Sequence, residues 1–126
     1  MMYIEEALKL AVDLADENEQ SGRGGRYGAV LMMNGIIIAT GTNDVTGICD
    51  PTAHAEIQAI RTACLTLRVT ELKDCEMYAS DEPCPMCMSA IRWSGIKRIY
   101  YARPSESGFQ TEWNERAVFT SLHFME

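Results

Sequence analysis

The amino-acid sequence predicts an α/β fold carried by one domain of 126 residues. Three observations point there. A helix-period segment opens the chain, two β-prone runs flank Asn34-Gly35, and the stretch from Cys75 to Ala102 reads strand, helix, strand. A chain of 126 residues can bury a core without disulfide support. Its 47% apolar and 23% charged residues are ordinary for a folded protein.

Ile4, Leu8, Ala11 and Ala15, with Ala7 and Leu14 beside them, recur at helical spacing with charges opposite. They predict an amphipathic helix of about four turns. The glycine-rich run Ser21-Gly22-Arg23-Gly24-Gly25-Arg26 follows; it lacks the Lys-Ser/Thr ending of a phosphate loop and reads as a connector. Tyr27 to Met33 and Ile36 to Thr42 are strands of a hairpin turned by Asn34-Gly35. Gly47, Asp50 and Pro51 mark a loop from Asn43 to Thr52. Thr52 is then the predicted N-cap of a second helix, with Ala55 and Glu56 in its first turns. Ile57, Ile60, Cys64 and Leu67 form that helix's apolar stripe, which makes Cys64 a buried core thiol.

Cys75 to Ser80 is a short strand, the next helix carries Met88, Ile91 and Arg92 and stops near Gly95, and Ile96 to Ala102 is another strand. So short a strand–helix–strand unit implies a right-handed parallel crossover. After Pro104 the pattern weakens. Glu112 to Thr120 is predicted as a helix, and Leu122-His123-Phe124 as a segment packing on the body or on a partner subunit.

Asp and Glu number 18 against 11 Lys and Arg, a net charge of -7. Phosphate backbones repel such a surface, which argues against a nucleic-acid partner. The five cysteines are an odd number, and the start Met1-Met2-Tyr3-Ile4-Glu5-Glu6 is acidic where a signal sequence is basic. No apolar run approaches the roughly 18 residues of a membrane span. The expectation is a soluble cytoplasmic protein.

Chemistry concentrates in Ser80-Asp81-Glu82-Pro83-Cys84-Pro85-Met86-Cys87. At a helix start, cysteines three apart turn both sulfurs to one side. That spacing fits half a zinc site and also a redox pair. Of the two histidines, His123 has no ligand-like neighbours in sequence and is left as structural or exposed. His54 alone reads as structural too. Beside Cys84 and Cys87, however, it makes a third soft ligand and leaves a fourth tetrahedral position open to water, as catalytic zinc requires. A closed structural site would instead draw a fourth ligand from Cys49 or Cys75. His54-Ala55-Glu56 followed by Pro83-Cys84-Pro85-Met86-Cys87 is the zinc-deaminase pattern. Glu56, two positions past the histidine, can reach water beside the metal without ligating it and handle its proton. Zinc there would lower the pKa of that water to about 7, and the helix start favours the cysteine thiolates.

From Gly25 to Phe109 the sequence resembles the cytidine-deaminase-like superfamily, and most closely its small bacterial guanine deaminases. Carrying the resemblance are Tyr27-Gly28-Ala29-Val30, Gly41-Thr42-Asn43-Asp44-Val45-Thr46, Asp50-Pro51-Thr52-Ala53-His54-Ala55-Glu56 with Ile60-Arg61, and Glu82-Pro83-Cys84-Pro85-Met86-Cys87. Arg92-Trp93 and Ser107-Gly108-Phe109 lean the same way. The resemblance implies a three-layer α/β/α fold with a mixed sheet and a homodimer. It implies Zn2+ on His54, Cys84 and Cys87, Glu56 as proton shuttle, and a substrate site of Asn43, Tyr27 and Ala55. The implied reaction is deamination of guanine to xanthine, on a small-molecule nucleobase. Residue by residue, without the family, Asn43 reads as a turn residue and Tyr27 as core.

The sequence departs from the family at three places. Arg26 stands where many relatives have proline, and Asp81 where a cysteine or small residue is common. Relatives also carry a longer C-terminal segment that swaps onto the partner's site, whereas this sequence runs to Glu126, a short tail. The acidic residue that relatives place after Gly-Phe is not matched clearly by Gln110, Thr111 or Glu112. Rival readings are a tRNA adenosine deaminase, which shares the Asp-Pro-Thr-Ala-His-Ala-Glu run, a cytosine or nucleoside deaminase, and a truncated zinc-binding homologue without turnover. The acidic balance and the few Lys and Arg after Arg103 weigh against the tRNA reading.

Overall fold

The computed structural model describes residues 2–104 and 118–121. Along the chain run α1 (Ile4–Gln20), β1 (Gly28–Met33), β2 (Ile36–Thr42), α2 (Ala55–Leu67), β3 (Cys75–Asp81), α3 (Pro85–Trp93), β4 (Arg98–Arg103) and β5 (Val118–Ser121). The strands form one sheet in the order β2-β1-β3-β4-β5. β1 is antiparallel to both β2 and β3, while β3, β4 and β5 are parallel, so the sheet is mixed.

The hairpin forms where it was predicted: Asn34 (φ 54°) and Gly35 (φ 76°) both take the left-handed conformation that a tight two-residue turn demands. Alternation along β1 then sets the layers. Ala29 and Leu31 face a core shared with Ala55, Ala59 and Ala63 of α2 and Met88 and Ile91 of α3. Val30 and Met32 face the other way, onto Ala7, Leu8, Ala11 and Val12 of α1. Met77 and Tyr78 split β3 between the same two cores. A strand with both faces apolar is a central strand, and helices cover it on both sides. The fold is the three-layer α/β/α arrangement.

Four expectations change. Thr52 is not the N-cap of α2; its hydroxyl donates to Asp50 Oδ1 at 2.7 Å, and the helix starts behind His54 instead. Cys64 is only partly buried at the edge of its core. Tyr27 precedes β1 and is 48% exposed, so it is no core residue. Val118–Ser121 is a strand paired in parallel with β4, not the end of a helix. Val118, Phe119 and Thr120 are β-branched or aromatic, and the edge of β4 offers them a ladder that local periodicity cannot reveal. The rest of that predicted helix, the segments Ser107-Gly108-Phe109 and Leu122-His123-Phe124, and Gln110, Thr111 and Glu112 lie outside the described residues.

The register places β1's start, β2's end and the ends of β3 and β4 together, through the pairs Gly28↔Thr42, Ala29↔Ala79 and Asp81↔Arg103. Tyr27, Asn43 and Cys84 leave the sheet at that one edge. In open α/β sheets the crevice outside the strand ends is where ligands bind.

Candidate active site

Two helices begin at this edge, and each is capped by a candidate metal ligand. His54 is the N-cap of α2 (φ −72°, ψ 160°), and Cys84 is the N-cap of α3 (φ −69°, ψ 169°). Both are extended, as N-caps are, and Pro85 fits the first position of α3 because no N–H is needed there. The Cys87 backbone N–H donates to Cys84 Sγ at 3.5 Å, the capping bond that brings both sulfurs to one side of the turn. The loop ahead of α2 is held with equal care. Asp50 Oδ1 accepts the Thr52 N–H at 2.8 Å as well as its hydroxyl, and Arg61 from α2 reaches Asp50 Oδ2 at 3.2 Å and Thr52 Oγ1 at 3.0 Å. These bonds, the Thr52 hydroxyl first, hold the Asp50 carboxyl below its usual range.

Among the described residues, His54, Cys84 and Cys87 form a group whose ligand atoms all lie within 4.8 Å of one another. His54 Nδ1 is 3.6 Å from Cys84 Sγ and 3.5 Å from Cys87 Sγ. With zinc–sulfur bonds of about 2.3 Å and zinc–nitrogen bonds of about 2.0 Å, a tetrahedral site separates S from N by about 3.5 Å. Both observed S–N separations match the edges of a zinc tetrahedron, and the two sulfurs lie within 4.8 Å of each other. Cys49 is exposed and Cys75 lies in the core, and neither joins the group. No fourth protein ligand closes the site among the described residues.

The thiols titrate as a pair. A hydrogen bond from the Cys87 thiol, then the Cys87 N–H and His54, hold Cys84 down to about 5, against burial. Donation to Cys84, burial and the nearby Glu56 carboxyl push Cys87 far up. Cys87 Sγ lies 3.5 Å from His54 Nδ1 and 3.6 Å from Glu56 Oε1. Zinc held here would have both sulfurs as thiolates, because only the deprotonated thiol ligates.

Glu56 is 7% exposed, and burial pushes its carboxyl up to about 7. A carboxyl poised near neutrality beside a metal position, but one step removed from the ligand set, is suited to carrying a proton. Ala55 lies between the two functional residues in the first turn of α2 and is wholly buried in the core. Asn43 follows β2, and its Oδ1 accepts the Val45 N–H at 3.3 Å in an Asx turn. The Tyr27 N–H donates to Gly25 O at 2.9 Å.

Two features of the site escape a reading of sequence alone. Gly28 N–H donates to Ser80 Oγ at 3.0 Å, Ser80 Oγ donates to Asp81 Oδ1 at 2.7 Å, and Arg103 grips Asp81 with Nη2 at 2.8 Å and Nε at 3.1 Å. Arg103 O accepts the Glu82 N–H at 2.8 Å, so this network runs from beside Tyr27 to the cysteine loop. Asn18, near the end of α1, is fully buried and bonds to the loops of Gly25 and Asn43. Its signal was faint: an asparagine, a poor helix former, placed just before a glycine-rich turn.

Residues 1–103 match the sequence family described as the cytidine and deoxycytidylate deaminase zinc-binding region. The chain is 50% identical over 121 residues to the guanine deaminase of Bacillus subtilis, covering 96% of this chain and 78% of that one. The crystal structure of that enzyme superposes with a TM-score of 0.81, over 86% of this chain and 72% of the other. A guanine deaminase structure from Nitrosomonas europaea superposes with a TM-score of 0.84 at 28% identity, over 96% of this chain and 77% of that one. A tRNA-specific adenosine deaminase of Agrobacterium fabrum is 41% identical over 85 residues, 68% of this chain and 56% of that protein.

Proposed function

The chain belongs to the cytidine and deoxycytidylate deaminase zinc-binding family, and from that membership we propose that it hydrolyses guanine to xanthine and ammonia. It is a zinc-dependent hydrolytic deaminase. The observation that carries guanine as substrate is the 50% identity, over 121 residues, to a guanine deaminase.

His54, Cys84 and Cys87 hold the zinc in this reading. When bound, zinc supplies Lewis acidity and lowers the pKa of water to about 7. Glu56 takes a proton from water, passes it to a ring nitrogen of the base, and protonates the amine as it leaves. Asn43 hydrogen-bonds the base, the half-exposed Tyr27 ring packs on it, and Ala55 contributes its backbone at the start of α2. Water gives its oxygen to the ring carbon and its hydrogens to ammonia and xanthine, so the reaction balances.

We take residues 1–126 as one catalytic domain, since α1, α2 and α3 all pack on the one sheet. Five free thiols accord with a reducing cytoplasm. Large apolar side chains left bare on α2 and α3, Leu65 at 72% and Trp93 at 89%, accord with a homodimer. A solution mass near twice 14.1 kDa is expected, and a mass of 14.1 kDa would remove the dimer.

The second reading, a tRNA adenosine deaminase, draws on the 41% identity to the Agrobacterium enzyme, and the net charge of -7 opposes it. Ammonia release from the zinc-loaded protein separates them. Guanine, adenine, cytosine, their nucleosides and a tRNA anticodon stem-loop are offered in parallel. Turnover of guanine above the others is expected; turnover of the stem-loop alone, with salt-sensitive binding, would replace guanine by RNA.

A further inference from the structure

We propose that Asn18 is a positioning residue for the base: its carboxamide locks the loop bearing Tyr27 to the loop bearing Asn43. The proposal rests on the assignment of those two residues to the substrate.

Asn18 is 0% exposed, although its neighbours Glu17, Glu19 and Gln20 on α1 are all in solvent. Both of its Nδ2 hydrogens are spent on backbone carbonyls, Gly25 O at 2.9 Å and Asn43 O at 2.9 Å. Two carbonyl acceptors leave no choice about the amide's orientation, because only the NH2 end can donate to both. Gly25 O also accepts the Tyr27 N–H at 2.9 Å. One oxygen is thus shared between the clamp and the residue that presents the ring. On the other side, the clamp grips the peptide of Asn43 itself. The two loops meet so closely that a Cβ on Gly24 would overlap Asn43 O.

Closing the helix does not need this side chain. Asn18's backbone carbonyl does that, accepting the Arg23 N–H at 3.2 Å and the Ser21 hydroxyl at 3.1 Å, and any residue supplies a carbonyl. The side chain's bonds go elsewhere, to the two loops. Meanwhile Asn18 Oδ1 is buried with no hydrogen-bond partner among the described residues, an unfavourable state for a carbonyl. Such a group persists where its donors fix something that matters, and here they fix the loop of Tyr27 against the loop of Asn43.

The test compares wild type with Asn18→Asp, which keeps the shape but replaces both donors by an acceptor. Gly24→Ala parts the same loops from the opposite side and serves if the aspartate variant does not fold. Zinc content, kcat and KM for guanine, and backbone hydrogen exchange are measured on the zinc-loaded proteins. We expect zinc to stay at wild-type level and exchange to quicken in residues 24–28 and 43–46. We expect KM to rise by about tenfold or more, with kcat changed by less than about threefold. Unchanged KM with faster exchange would make Asn18 a purely structural clasp. A joint loss of zinc, kcat and KM would overturn the proposal as well. Failure of the guanine assignment looks different, since wild type itself would then leave guanine untouched. The KM split is in that case measured on whichever base it does deaminate.

Discussion

Glu56 is the residue whose surroundings say most. Its carboxyl is buried, raised to about 7, and 3.6 Å from Cys87 Sγ, yet it belongs to no ligand set. A glutamine there keeps size and polarity while losing the proton. Glu56→Gln is therefore expected to retain zinc and lose about 10²- to 10⁴-fold in kcat, the usual share of a positioned acid–base group. Metal analysis beside steady-state kinetics checks it, and a loss below tenfold would exclude Glu56 from proton transfer. Cys87→Ala should behave in the opposite sense, losing the metal first and activity as a consequence. His54, Glu56, Cys84 and Cys87 were legible in sequence because each half of the pattern sits at one helix start, although only the packing of α2 on α3 brings the halves together. Asn18 was not. Its meaning depends on Gly25 and on Asn43, a loop that only the folded sheet brings to it.

At the scale of elements, the β2–α2 contact decides where the metal histidine stands. A Cβ on Gly41 would overlap Ala55 O and come within 2.6 Å of Ala59 N, so α2 rests directly on the backbone of β2. Gly41→Ala must push the helix start outward, and overpacking of this kind costs about 1–3 kcal/mol. Urea unfolding should show that loss together with weaker zinc retention; unchanged stability would mean that α2 shifts freely. At the ends of β3 and β4, Asp81 and Arg103 form a two-bond ion pair, each side chain 27% exposed. Partly solvated pairs contribute at most about 1 kcal/mol. A double-mutant cycle with Asp81→Asn and Arg103→Gln is expected to return a coupling of that size, and none at all would leave the pair ornamental. The elements themselves were largely readable. Asn34-Gly35 located the hairpin, and periodicity located α1. The exceptions share a cause. Thr52 has the right chemistry for an N-cap, but Asp50 engages it two residues away. Val118–Ser121 is a strand through β4, a partner far off in the chain.

For the molecule as a whole, zinc is a fastener between segments that the chain reaches separately. His54 follows β2 and the loop ahead of α2, whereas Cys84 and Cys87 follow β3 and open α3. Both helices bury Ala55, Ala59, Met88 and Ile91 in one core, which brings their N-termini together before any metal arrives. The two positive helix ends favour thiolate, and Cys84 already lies well below an ordinary thiol. Donation to Cys84, burial and the nearby Glu56 push Cys87 the other way, so its deprotonation would accompany binding of the cation. The fold thus prepares the site without completing it. A ligand that binds only the native state stabilises it by about 4 kcal/mol at a thousandfold excess over its Kd. Chelator-stripped protein is accordingly expected to stay folded, with its core intact, but to melt several degrees lower. Added zinc should restore the melting temperature of wild type and leave that of Cys87→Ala where it was. Complete unfolding on chelation would show instead that the packing of α2 and α3 needs the metal to form. Equal melting with and without zinc would show that the metal does not bridge them.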